Sequence, residues 1–443
     1  MQIFKRKIYD KILQWKNENE GRTALLIEGA RRIGKSTIVK EFAQREYKSY
    51  IIIDFNKVSE EIRALFDNLL DLDYIFLYLQ TVYHVSLERR KSVIIFDEVQ
   101  KCPKARQAIK YLVEDGRYDY IETGSLISIK KNTENITIPS EEDRLSMHPM
   151  DFEEFQWALG NNNYFDLLRK FWDDKKPVGT LHRTLMRQLR LYMLVGGMPQ
   201  AVAEYIETNN FEKVDRVKRR ILRLYEDDFI KLDPSGKASK LLLSIPSALS
   251  GNKRRFYSNG IIGKQMDDTL SKMLNLLEDS KVVNVCYHCD DPNVGMSLTK
   301  NDEVFKLYLA DIGLFITLIF WDKSFIENII YQKLLSDKLP ANLGYVFENL
   351  ISQMLVAKSN KLFYYTWKKD ERHYYEIDFL LSEGAKISPL EVKSSTSFTH
   401  ASLTAFYNKY SSRIAHNYLV IPKEFRQERE ITVIPPYYIP FLR

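Results

Sequence analysis

Gly29-Ala30-Arg31-Arg32-Ile33-Gly34-Lys35-Ser36 places a glycine, four residues, a second glycine, then a lysine and a hydroxyl residue in succession. This is the spacing a chain needs to wrap a phosphate group. Glycines let consecutive backbone N–H groups curl toward anionic oxygens. Lys35 is placed to reach the β- and γ-phosphates and Ser36 to ligate Mg²⁺, while the helix beginning near Thr37 directs its positive end at the same charge. Gly29, Ala30, Arg31, Arg32, Ile33, Gly34, Lys35, Ser36 and Thr37 are therefore the candidate nucleotide-binding set.

Such a loop calls for an acidic partner. The run Ser92-Val93-Ile94-Ile95-Phe96 ends in Asp97-Glu98. Asp97 is expected to hold Mg²⁺ through its water shell, and Glu98 to polarise an attacking water as a general base. Tyr120-Ile121-Glu122 leads into Thr123-Gly124-Ser125, where Thr123 or Ser125 could sense the γ-phosphate; an ordinary turn is the alternative. Arg144 follows a polar stretch, Lys130 to Asp143, read as a mobile loop. It is a candidate nucleotide sensor in its own chain or a neighbour's, or simply a surface arginine.

A second set lies near the C-terminus. Tyr345 to Ile351 reads as a helix presenting Glu348, Glu376 to Leu381 as a strand presenting Asp378, and Pro389-Leu390-Glu391-Val392-Lys393 as another strand. Strand alternation puts Glu391 and Lys393 on one face. Asp378 and Glu391 could share a Mg²⁺, with Glu348 as an outer ligand and Lys393 orienting a water or stabilising phosphate charge. The alternative is a buried ion-pair network in a module without that chemistry.

The elements that must position these groups are legible in part. Thr23 to Ile27, Tyr50 to Phe55, Ser92 to Phe96 and Tyr120 to Glu122 are short apolar runs separated by helical segments, which argues a parallel α/β sheet with helices on both faces. Asp151 to about Lys240 is helical, broken at Gly196-Gly197-Met198-Pro199. Within it Lys213 to Arg223 carries six basic residues in eleven positions; it could face a nucleic-acid backbone, but a solvated face paired with Glu226, Asp227 and Asp228 is the favoured reading. Residues 241 to 300 have the pattern of a winged helix, and its second helix has only Lys272 as a basic residue, which favours a spacer over a DNA reader. Cys286 and Cys289 have metal-like spacing without a second ligand pair nearby, and are read as hairpin cysteines. The resulting division is 1–150, 151–240, 241–305 and 306–443.

Length and composition fit this. A chain of 443 residues exceeds one ordinary core, and 45% hydrophobic with 28% charged residues is ordinary globular composition. A net charge of +6 neither demands nor excludes nucleic acid. Three cysteines do not make a disulfide framework. With no signal-like segment, and with an apolar run from Gly313 to Trp321 too short to span a bilayer, the expectation is a cytoplasmic protein that does not enter a membrane.

Taken in order, GARRIGKS, VIIFDEVQ, ETGS, PMDFEEF, GGMPQAV, KLYLADIGLF, YVFENLI, YEIDFLL and PLEVKSS resemble the prokaryotic AAA-type ATPases that carry a C-terminal domain of unknown function numbered 4143. The resemblance implies a P-loop NTPase sheet with an additional strand between the loop strand and the Asp97-Glu98 strand. A helical and winged-helix segment would follow, then a restriction-endonuclease-like α/β C-terminal domain. It implies ATP and Mg²⁺ as ligands, with Lys35, Ser36, Asp97 and Glu98 in their motif roles and Asp378, Glu391 and Lys393 as a nuclease-like triad. The expected function is an ATPase acting as a conformational switch coupled to that module. An ATP-regulated DNA or RNA nuclease and a non-hydrolysing ATP-binding signalling or scaffold protein are the alternatives. DNA or a protein is the candidate partner, and an oligomer is compatible. The sensor segment lacks the asparagine the resemblance leads one to expect.

Overall fold

The four apolar runs form neighbouring strands because none has a polar face to offer solvent. In the computed structural model, β1 (Ala24–Glu28), β2 (Ser49–Asp54), β3 (Ser92–Asp97) and β4 (Asp119–Gly124) pair in parallel in the order β2-β3-β4-β1. Every residue of β3 and β4 is buried, as strands covered on both faces must be. The structure describes residues 3–125, 137, 139–251, 256–257, 268–325, 331, 333–334, 344–394 and 400–442. They divide into two compact units, Met1–Pro149 with Asp279–Lys281, and Met150–Glu278 with Val282–Arg443. No helix among the described residues is long and apolar enough to cross a membrane.

In the first unit, alternate strand residues face opposite layers. Leu26, Ile51, Ile53, Ile94, Phe96 and Tyr120 join a core with residues of the helices Leu72–Tyr83 and Pro103–Asp115. The helix Lys35–Glu46 packs against the sheet as well. A fifth strand, β5 (Glu142–Ser146), adds in parallel beside β1, with Leu26 opposite Arg144. This corrects the reading of that stretch as loop through Asp143; residues 130–136 and 138 lie outside the described residues. Two interactions make a polar sequence extended here. β5 completes the backbone hydrogen bonding of β1, and the buried Arg106 guanidinium bridges Glu122 at 3.5 Å and Glu142 at 3.0 Å.

The second unit contains the helices Phe152–Ala158, Tyr164–Asp173, Leu181–Val195, Pro199–Thr208, Phe211–Leu232 and Lys237–Ser250. The first begins with a capping box formed by Asp151 and Glu154. A nine-stranded sheet follows, in the order β13-β14-β12-β11-β10-β9-β7-β8-β6. Its strands are β6 (Phe256–Tyr257), β7 (Val283–Cys289), β8 (Lys300–Leu309), β9 (Leu362–Lys368), β10 (Tyr374–Glu383), β11 (Lys386–Val392), β12 (Tyr418–Val420), β13 (Arg426–Glu428) and β14 (Ile431–Ile434). From the helix Gly344–Ala357 onward the order is helix, β9, β10, β11, helix Ala401–Tyr410, β12, with β11 and β12 parallel.

Three expectations change here. β7 and β8 do form an antiparallel hairpin, but β7 also pairs in parallel with β9. The hairpin is thus built into the large sheet rather than projecting as a free wing; β7, buried along most of its length, could not end a sheet. The divisions drawn at 240/241 and 305/306 run through the helix Lys237–Ser250 and through β8. The basic stretch 213–223 is not wholly a solvated face either. Lys218 is fully buried, donating to the carbonyls of Leu194 and Gly313. Arg219 donates to the carbonyls of Phe320, Trp321 and Lys323, just past the end of the helix Ile312–Ile319.

The Gly196-Gly197 break is a packing requirement. A Cβ on Gly197 would lie 2.0 Å from the Met150 carbonyl oxygen, while the Gly197 N–H donates to Asp311 Oδ2 at 2.5 Å and its carbonyl accepts from Met150 N. We expect Gly197→Ala to destabilise this unit by about 3 kcal/mol, measured as a lowered denaturation midpoint. An unchanged midpoint would mean that the backbone contact relaxes without cost.

Candidate functional site

The loop between β1 and the helix Lys35–Glu46 turns on Gly34, whose φ of 96° suits glycine. Lys35 is buried and curls back so that its Nζ donates to the carbonyls of Gly29 and Ala30, both at 2.9 Å. Its ammonium thus occupies the loop's own mouth. Burial pushes its pKa down to about 8, against the opposing pull of Glu98 and Asp97. One residue on, Ser36 Oγ donates to Asp97 Oδ1 at 2.7 Å. The Thr123 hydroxyl donates to that same oxygen and accepts from the Glu98 N–H at 3.4 Å. The ends of β3 and β4 and the start of the helix therefore converge on one carboxylate.

Glu98 leaves the strand with φ 56°, an uncommon conformation for a non-glycine residue. Its Oε2 accepts from Gln100 Nε2 at 2.6 Å and from Ser125 Oγ at 3.2 Å. The structure thus brings together Lys35, Ser36, Asp97, Glu98, Thr123 and Ser125. Arg31, Arg32 and Ile33 form the loop's crown, Arg32 with φ 70°, and Thr37 is in the first turn of the helix. Arg144 is not part of this group: it lies on β5, with its Nε on Glu142 at 2.8 Å.

Two residues at this site were given no role by the sequence. Arg6 donates to the carbonyl of Ile33 at 2.9 Å and to that of His148 at 2.6 Å, bracing the loop's crown. Gln100 holds Glu98. Neither is signalled by spacing; Gln100 is visible only as an amide two residues past the acidic pair.

The C-terminal set also assembles, within the second unit. Glu348 is 1% exposed on the helix Gly344–Ala357, and Asp378 and Glu391 are buried on β10 and β11. The β9–β10 register shifts between Ile377 and Leu380, a bulge that re-aims the neighbouring side chains. Asp378 Oδ2 accepts from Val392 N at 2.8 Å, and Lys393 Nζ lies 2.8 Å from Glu391 Oε1. Glu391 Oε2 is buried with no hydrogen-bond partner. Burial, and then the Glu348 carboxylate, pushes Asp378 up to about 7. One member was unforeseen. Lys306, fully buried on β8, places its Nζ 2.7 Å from Glu376 Oε1, 3.5 Å from Glu348 Oε2 and 3.8 Å from Asp378 Oδ1. Among the described residues no three His, Cys, Asp or Glu side chains converge to hold a metal ion. Cys286 and Cys289 are buried free thiols on β7.

Three stretches of the chain match known families. Residues 21–156 match an AAA domain, residues 186–324 a domain of unknown function (DUF8612), and residues 343–439 a domain of unknown function (DUF4143). No curated protein matches the chain. Among solved structures it is similar to a Walker-type ATPase of Pyrococcus abyssi, at 16% identity and a TM-score of 0.41, over 71% of this chain and 96% of that one. It is also similar to the Holliday junction branch migration motor of Thermotoga maritima, at 12% identity and a TM-score of 0.29, over 63% and 89%. A third is a signal transduction ATPase of Pyrococcus horikoshii with a tetratricopeptide repeat sensor, at 11% identity and a TM-score of 0.29, over 81% and 50%.

Proposed function

Because the chain belongs to the AAA-type ATPases that carry a DUF4143 domain, we propose that it binds ATP with Mg²⁺ at the 29–36 loop, hydrolyses it, and uses the cycle as a conformational switch for its C-terminal module. The observation that carries this is the Ser36–Asp97 hydrogen bond at 2.7 Å, beside a buried lysine that caps its own loop. A hydroxyl and a carboxylate joined across 61 residues are the pair that Mg²⁺ coordination needs.

In this reading Lys35 exchanges the carbonyls of Gly29 and Ala30 for phosphate oxygens, and the loop amides from Ala30 to Ser36 turn toward the same anion. Bound Mg²⁺ would be held by Ser36 and Asp97 and supplies charge neutralisation on the phosphates. Thr123, bonded to both members of the acidic pair, couples the sensor strand to them. Glu98 accepts a proton from the attacking water once Gln100 and Ser125 hold its carboxylate in line. The reaction is positioning plus charge stabilisation.

The acidity of Lys35 gives this reading a pH signature. In the free protein its proton leaves above about pH 8, whereas the unfolded chain keeps it to about 10.5. The unfolded state therefore binds more protons between these values, so stability rises across that window. Nucleotide affinity moves the other way, because anion binding above pH 8 must take up a proton. We expect the Kd for ATP to rise by up to about tenfold per pH unit above 8, and Lys35→Arg, always charged, to flatten the profile. A flat wild-type profile would contradict this assignment of Lys35.

A second reading, an ATP-regulated nuclease, is favoured by the unpartnered Glu391 Oε2 beside Lys393 and by the helix-β-β-β-helix-β order of the C-terminal region. Asp378 and Glu391 would hold the cation there. Divalent-metal-dependent cleavage of DNA that disappears in Glu391→Ala supports it; cleavage that persists points to a contaminant. Turnover of ATP stimulated by double-stranded DNA would identify nucleic acid as the partner, and indifference to DNA would favour a protein partner.

A further inference from the structure

A cavity in the second unit belongs to neither candidate site. It encloses about 880 Å³, near the upper end of the range for small-molecule sites. The helix Tyr164–Asp173 contributes Arg169 and Trp172, and the segment Pro436–Phe441 contributes Phe441. β12, β14 and β13 contribute Tyr418, Thr432 and Gln427. These three are register neighbours, so they form one row across the sheet.

Two features of the lining select a ligand. The first is a group of stacked rings. Trp172 lies nearly parallel to Phe441, with 6.4 Å between centroids and 22° between planes, and meets Phe425 edge-on at 6.2 Å. Phe441, Phe425 and Tyr418 are buried, whereas Trp172 is half-buried. Its indole therefore has surface left on which a further ring can stack. The second feature is positive charge without a countercharge. Arg169 sits over the Phe441 ring at 5.0 Å and is exposed, as is Lys175. Among the described residues neither has a carboxylate partner. Glu383 lines the same cavity but is already engaged, accepting from Ser388 Oγ at 2.5 Å and lying 3.0 Å from His416 Nδ1.

A flat ring with an attached anion answers both features: the ring stacks on Trp172 and the anion pairs with Arg169 and Lys175. An aliphatic anion would leave the rings unused, and a neutral aromatic would leave the cations unused. We infer that this cavity binds a phosphorylated nucleobase, supplied as a free mononucleotide or as the end of a nucleic-acid strand, independently of the 29–36 loop.

The test is calorimetric titration of AMP into full-length Lys35→Ala protein with a chelator present, a background that removes the contribution of the loop. The expected result is one AMP per chain, with a Kd raised about tenfold by Trp172→Ala and by Arg169→Ala. Adenosine, which lacks the anion, and ribose 5-phosphate, which lacks the ring, should each bind about tenfold more weakly than AMP. The trinucleotide pApApA distinguishes the two sources. Tighter binding than AMP that is weakened by Trp172→Ala assigns the cavity to a strand; equal or weaker binding assigns it to a free nucleotide. No binding of either AMP or pApApA at millimolar concentration would overturn the inference. Binding unchanged by both substitutions would also overturn it, as would ribose 5-phosphate binding as tightly as AMP. If Trp172→Ala does not fold, Lys175→Glu, at an exposed position, decides together with Arg169→Ala.

Discussion

Replacing Lys35 with alanine should abolish useful nucleotide binding. The side chain is a buried cation at the mouth of the loop, and its ammonium already makes two hydrogen bonds of 2.9 Å to loop carbonyls. Those bonds are the ones that phosphate oxygens would replace. Losing two charge-assisted hydrogen bonds to an anion corresponds to about 3–4 kcal/mol, a rise in Kd of roughly 10²–10³-fold, with turnover at ordinary ATP concentrations falling at least as far. The fold should survive, because removing a buried ammonium also removes its desolvation cost. Titration with a fluorescent ATP analogue, alongside a thermal melt, separates the two effects. Normal turnover in this variant would remove the basis for placing ATP at the loop.

Replacing Glu98 with glutamine should have the opposite signature: binding retained, turnover lost. Glutamine keeps the shape and can still accept from Ser125 and Gln100 through its carbonyl oxygen, so the local structure held by these two hydrogen bonds is preserved. It cannot take a proton from water. Loss of a general base costs about 10²–10⁴-fold in rate. Measured by phosphate release at saturating ATP, this should appear in kcat with little change in Kd. A variant that no longer binds ATP would instead make Glu98 a structural residue of the β3 exit.

The sequence was legible where one residue type has one physical use. Continuous apolar runs such as Val93 to Phe96 can only be covered strands, and the spacing of Gly29, Gly34, Lys35 and Ser36 fixes a loop and its helix. The sensor strand β4 lies between β1 and β3, as the resemblance implied. β5 was not legible, because Glu142-Asp143-Arg144-Leu145-Ser146 has no strand-like apolar face. Its pairing comes from the exposed edge of β1 and from Arg106, which is distant in sequence. Arg6 escaped notice for the same reason: its partner, the Ile33 carbonyl, is backbone and leaves no trace in residue type.

In the second unit, Glu348, Asp378, Glu391 and Lys393 were recognisable as a set because their residue types suit one another. Lys306 was hidden, because it opens the largely apolar stretch KLYLADIGLF, far in sequence from the carboxylates it meets. Only the nine-stranded sheet shows that the buried end of β8 turns it inward. Lys218 and Arg219 make the same point on a helix. A basic run looks solvated until the carbonyls of Gly313, Phe320 and Trp321, far along the chain, are seen to accept from it.

The most direct test of the central claim is steady-state phosphate release from ATP by the purified wild-type protein, with Mg²⁺ and with a chelator in its place, and with Glu98→Gln as the control. Turnover should require Mg²⁺ and fall at least a hundredfold in the control. Tight ATP retention without turnover in the wild-type protein, even with double-stranded DNA added, would contradict it and leave a protein that uses ATP as a structural ligand.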